Sequence, residues 1–271
     1  MWGSFLDASM LLPVAVEMLQ GKAASSATWS LGFQFAPYNE LAKLADGAYD
    51  FHEMQEGMPN IYIALPFVLL AIFYFLSKKI NWRHKLANGI LLIFLVASLF
   101  WTPLVLIWHL GQFPVWYPGR FSFVLIFFAL DLAIIALKQR EKISFWQIGV
   151  LILLAIGLIV FITVDSKSFA FLNQNAQTAS AAFLALGILF IGFIHNRSNF
   201  AAPFFCLIIE LELIVNLVLS LNNLAYQNNA DYQNFVQNTK QVTQYAKDHD
   251  DRLYRMEKTF YRSDDDPFSA N

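Results

Sequence analysis

The sequence predicts an all-α polytopic membrane protein with six transmembrane helices and both termini outside the cytoplasm. Three observations carry this. Six long apolar stretches divide the chain, only 14% of its 271 residues are Asp, Glu, Lys or Arg, and the cations gather at alternate loops. Soluble domains carry about a quarter charged residues, so the shortfall indicates lipid-facing surface. Net charge is −2 with no basic face, which excludes a nucleic-acid binder.

A helix needs about 20 mostly apolar residues to cross roughly 30 Å of hydrocarbon. The six stretches are Asn60–Leu76, Leu86–Ile107, Phe121–Leu137, Phe145–Val164, Ala181–Ile194 and Phe200–Leu221. Lipid cannot satisfy free backbone groups, so such runs are expected as helices. The loops after the first, third and fifth hold Lys78, Lys79, Arg83, Lys85, Lys138, Arg140, Lys142 and Arg197. The opposite loops hold only Arg120 and Lys167. Cytoplasmic loops carry the excess of cations, so the first, third and fifth spans are expected to end inside. Trp101, Trp108, Trp116 and Tyr117 near the outer end of the second and third spans read as an interfacial belt.

Three domains are expected: residues 1–59 as an extracytoplasmic N-terminal segment, 60–221 as the membrane domain, and 222–271 as the start of an outer C-terminal domain. The first segment holds seven acidic residues and no basic n-region, so it does not read as a signal peptide. Its outside position without a signal predicts a polypeptide that starts upstream of Met1. In the C-terminal segment Tyr232, Phe235, Val236, Thr239, Val242 and Ala246 recur at helical spacing. They predict an amphipathic helix, followed by a strand-like LYRMEKTFY.

Ionisable groups within hydrocarbon are costly, which makes Asp131, Glu210 and Glu212 candidates. At 1.5 Å per residue, Asp131 and Glu212 each lie roughly 15 Å below the outer face, where neighbouring helices would let them meet. Glu212 and Asn216 share a helix face, with Glu210 turned away. The seam could border a polar cavity or simply join helices through hydrogen bonds.

The stretch WHLGQFPVWYPGRFSF forms a second candidate site. Pro114 and Pro118 prevent a helix, and Arg120 then stands at the outer surface with Trp116 and Tyr117 beside it. An arginine there can take a lipid phosphate bidentately or snorkel to head groups. His109 is a candidate general base or an interfacial histidine. Glu40, Asp46, Asp50, Glu53 and Glu56 flank His52 at a spacing that fits no metal geometry, and read as a solvated acidic face. The only cysteine, Cys206, lies in an apolar run and excludes an intrachain disulfide.

Five pieces, in order along the chain, resemble the YfhO family of bacterial membrane proteins. They are LLP at Leu11–Pro13, GMPNIYIALPFVLLAIFYF from Gly57, GQFPVWYPGRFSF from Gly111, ELIVN from Glu212 and LYRMEK from Leu253. The family is similar to GT-C glycosyltransferases of the bacterial plasma membrane. The resemblance implies a segment of an enzyme that moves a sugar from an undecaprenyl-phosphate carrier to lipoteichoic acid or another envelope polymer. It carries over Arg120, Glu212 and Asn216 as motif positions. It also implies that the acidic base of the first outer loop lies outside this chain, which would then be inactive alone and would need other segments of a split protein. The catalytic residues stay unassigned. The alternatives are a transporter or lipid-linked sugar flippase built on Asp131 and Glu212, and a non-enzymatic accessory subunit.

Overall fold

A computed structural model describes residues 29–109, 111, 113, 114, 116–139, 143–194, 201–224 and 228–249, with Pro13 and Val16. LLP, Arg140, Lys142, Arg197 and LYRMEKTFY fall wholly or largely outside these. The described residues are helical and form no strand; the one β-like feature is an isolated bridge between Phe33 and Trp101.

A 3-10 helix, Pro37–Leu44, and the short α1, Phe51–Gln55, precede the long helices. These are α2 (Leu65–Leu76), α3 (Trp82–Phe100), α4 (Thr102–Trp108), α5 (Ser122–Lys138), α6 (Phe145–Val164), α7 (Gln174–Leu189) and α8 (Ala201–Asn222). Four of the apolar helices, those of α3, α6, α7 and α8, are long and apolar enough to cross a membrane. Residues 1–224 form one compact unit and residues 225–271 another.

Two of the expected spans differ in form. The stretch from Asn60 enters as irregular chain and becomes helical only at Leu65, with Pro66 in the first turn. Proline is tolerated there because its missing N–H would have no partner in any case. At 12 residues, α2 is about 18 Å long, well short of the hydrocarbon thickness. The stretch Leu86–Ile107 is divided at Trp101, whose extended backbone separates α3 from α4. Pro103 opens the second piece. The segment before the 3-10 helix serves the break: Gln34 N–H donates to Phe100 O at 2.8 Å, and Thr102 N–H to Gly32 O at 3.1 Å.

Short as it is, α2 lies at the centre of the first unit. Leu65, Leu69 and Leu70 are at most 1% exposed and join one core with Ala133 of α5, Leu151 and Ala155 of α6, Phe183 and Leu184 of α7, and Phe205 and Ile208 of α8. Small residues let the backbones approach. A Cβ on Gly187 would lie 2.8 Å from Leu69 Cδ1 and 3.2 Å from Pro66 Cα, so α7 and α2 pack tightly at this glycine. Both ends of α2 are closed by side chains of other helices. Glu212 Oε1 accepts from Leu65 N–H at 2.5 Å, and Gln147 Nε2 donates to Leu76 O at 2.9 Å. Gln147 also closes its own helix start, accepting from Ser144 N–H at 2.8 Å.

The second unit contains α9, Asn229–His249. Its less exposed residues are Phe235, Val236, Thr239, Thr243 and Ala246, along one stripe. Within this stripe lie four of the residues whose spacing predicts the helix.

Candidate functional site

The polar interior starts in the 3-10 helix. With three residues per turn, Glu40 and Lys43 fall on one face. That face turns inward: Glu40 is 5% exposed and Lys43 is fully covered. Ala42, and Ala45 just past the helix end, pack with Ile162 of α6 and with Phe171 and Leu172 beyond it.

Lys43 is held on three sides. Its Nζ donates to Ala48 O at 2.7 Å and to Glu53 Oε2 at 3.1 Å, and lies 4.9 Å from the Phe171 ring centre. Glu53 Oε2 also accepts from Met58 N–H at 3.0 Å. Glu53 is carried by α1, whose first turn is capped by Asp50 Oδ1 accepting from Glu53 N–H at 2.9 Å. Burial draws the Lys43 ammonium below its ordinary value, against the pull of the Glu53 carboxylate. Glu40 has no hydrogen-bond partner on either carboxyl oxygen, and burial pushes it up to about 8 despite Lys43 nearby.

A second group lies deeper in the chain of contacts. Asp46 is fully buried; its Oδ1 accepts from Tyr62 OH at 3.0 Å, and its N–H donates to Ser180 Oγ at 2.9 Å. Burial raises it to about 6, opposed by those two hydroxyls. Gly47 N–H donates to Asn216 Oδ1 at 2.8 Å, and Gly47 O accepts from Asn223 Nδ2 at 3.1 Å. Gly47 has φ +70°, and a Cβ would lie 2.7 Å from Leu219 Cβ, so only glycine fits against α8. The second oxygens of Asp46 and of the fully buried Glu212 have no partner.

The aromatic loop folds against α1. Tyr117, at φ 55°, donates its N–H to Met54 O at 2.9 Å and its OH to Met54 Sδ at 3.2 Å. Trp116 meets Phe51 edge-on at 6.0 Å between ring centres. Ser122 Oγ donates to Asn60 O at 2.6 Å. Between loop and segment lies a cavity of about 510 Å³, walled by Gln34, Asn39, His52, Glu53, Glu56, Phe113, Pro114 and Gly119 among others. Arg120 is exposed beside Gly119, with Nε and Nη2 donating to Trp116 O at 3.2 and 2.9 Å. His109 lies apart: Nδ1 is 2.8 Å from Val105 O, the ring meets Phe121, and Nε2 has no partner.

The candidates from sequence thus separate. Arg120, Trp116 and Tyr117 come together in the loop whose Pro114, Pro118 and Gly119 line the cavity. Glu212 and Asn216 share the buried face of α8, while Glu210 is exposed. Asp131 is exposed on α5, and no hydrogen bond joins it to Glu212, which is bonded to Leu65 instead. The acidic run expected as a solvated face is largely interior, since Glu40, Asp46 and Glu53 are buried and only Glu56 is exposed. A signal for this was the three-residue step from Glu40 to Lys43 after Pro37, a 3-10 period; Asp46 lies beyond that helix.

A family model described as bacterial membrane protein YfhO matches residues 2–271. No curated protein and no solved structure matches the chain.

Proposed function

Because this chain belongs to the YfhO family of bacterial membrane proteins, we propose that it serves a membrane glycosyltransferase that moves a sugar from an undecaprenyl-phosphate carrier to lipoteichoic acid or another envelope polymer. The observation that carries this reading is the cavity of mixed polar and apolar lining walled in part by the aromatic loop, with the exposed Arg120 next to its lining residue Gly119. Amide and carboxylate side chains with aromatic walls suit a sugar. The exposed guanidinium of Arg120 suits the carrier phosphate.

In the transfer an acceptor hydroxyl attacks the anomeric carbon, and the bond from that carbon to the phosphate oxygen breaks. The electron pair leaves with the lipid phosphate, whose charge Arg120 offsets. Glu53 is committed to Lys43 and Met58, so Glu56 is the wall carboxylate available to take the hydroxyl proton. The reading includes six spans in the plasma membrane with both termini outside, residues 1–59 and 222–271 flanking the membrane domain of residues 60–221, and further segments of the same protein as partners.

A second reading, proton-coupled transport, draws support from Asp46, Tyr62 and Glu212, a buried group with two unpartnered carboxyl oxygens. One experiment separates the two. In cells carrying the whole protein, Arg120→Ala abolishes envelope glycosylation and Asp131→Asn is mild under the transferase reading. Loss with Asp46→Asn while Arg120→Ala retains activity would favour transport.

A further inference from the structure

A second cavity, of about 410 Å³ and almost wholly apolar, runs beside α2 on the side of α3 and α5. It extends from Ile61 and Leu99 at one end, past Val68 and Ala129, to Leu76 and Leu132 at the other. From Val68 to Leu76 the helix rise alone gives about 12 Å. The shape is that of a slot for one chain. Leu41 and Leu154 of its lining are 43% and 46% exposed, so the slot reaches the apolar surface of the unit.

Among the residues lining this slot, one is titratable, and it is Glu40. Its carboxyl is buried, and neither oxygen has a partner. A buried carboxyl without a hydrogen bond costs free energy unless something supplies the bond. The nearest cation cannot do so, since Lys43 is directed to Glu53 and Ala48. We propose that the slot binds a long-chain neutral lipid whose free hydroxyl meets the Glu40 carboxyl. The apolar chain lies along α2, and the head group exchanges hydrogen bonds with Glu40 as both donor and acceptor.

An anionic head is disfavoured. No free cation lines the slot to match a phosphate, and Glu53 stands close behind Lys43. Burial holds Glu40 up to about 8, so near neutral pH it is mainly an uncharged acid able to donate. This site is independent of the sugar-transfer reading, which rests on the cavity beneath the aromatic loop.

The test uses the full chain in phosphatidylcholine nanodiscs, with diazirine-bearing hexadecanol and the matching hexadecyl phosphate as probes. Photolabelling by the alcohol is expected on peptides containing Ile72 and Leu132, and to exceed that by the phosphate. Glu40→Leu is expected to lower it about five-fold, the loss of one buried hydrogen bond, with Glu40→Gln intermediate. Ala129→Trp fills the slot away from Glu40 and is expected to block labelling, which keeps the test decisive if Glu40→Leu does not fold. Equal labelling by the phosphate, labelling spread evenly over the apolar helices, or no effect of Ala129→Trp would overturn the proposal.

Discussion

Glu212 and Gln147 close opposite ends of the same helix, α2, from two different neighbours. Glu212 accepts from the first N–H and Gln147 donates to the last carbonyl. A helix of 12 residues is marginal by itself, so these caps and its packing hold it. Glu212→Leu leaves Leu65 N–H buried without a partner, and should destabilise by about 1–3 kcal/mol. Glu212→Gln keeps an acceptor and should cost much less. Thermal unfolding in detergent measures the difference; equal losses would show that the carboxylate charge, not the cap, matters.

The Lys43–Glu53 pair is buried, so removing one partner strands the other. Lys43→Met or Glu53→Gln alone should destabilise by about 3–5 kcal/mol, and the double change by clearly less than the sum. A double-mutant cycle on unfolding midpoints reads the coupling. Additive losses would mean that the pair contributes nothing as a pair.

The raised acids set a pH dependence. Glu40 rises from 4.5 to about 8 and Asp46 from 3.8 to about 6. In those intervals the folded chain binds more protons than the unfolded one, so stability falls with rising pH. The contribution is complete below the unfolded values and lost as pH passes about 6 for Asp46 and about 8 for Glu40. One group gives at most about 1.4 kcal/mol per pH unit. Glu40→Gln should flatten the slope between pH 6 and 8 and reduce it between 4.5 and 6, where the Asp46 share remains. A wild-type profile that rises over this range would refute the assignment.

Gly119 has φ +63°, and a Cβ would lie 2.5 Å from Pro59 Cβ and Cγ. Gly119→Ala should therefore cost about 1–3 kcal/mol and lift the loop from its seat on Pro59. Faster cleavage by protease near Pro118, with the long helices intact by circular dichroism, is the expected result.

How much of this was legible in sequence depends on what each signal measures. The apolar runs of α6 and α8 exceed any soluble helix core, and their residues alone predict their extent. The runs starting at Asn60 and Leu86 look equally apolar, yet Pro66 and Pro103 decide where helix begins inside them. Hydropathy averages over such points. In the site, Arg120, Trp116 and Tyr117 were identifiable because prolines and a glycine fix the loop. Glu40, Asp46 and Glu53 were misread because their charges suggest water. Lys43 and Tyr62 lie near them in the chain, but Ser180 is 134 residues from Asp46, and only the assembled helices bring it near.

The acidic segment is made early and covered late. Gly47 waits 169 residues for Asn216, and Asp46 waits 134 for Ser180. At about 5–20 residues per second, synthesis of α8 follows that of Gly47 by roughly ten to thirty seconds. Until then the Asp46 and Gly47 backbone groups need water or a chaperone, because the helices that carry Ser180 and Asn216 do not yet exist. Correct burial of this segment is thus a late step of membrane assembly, one that depends on Ser180 of α7 and Asn216 of α8.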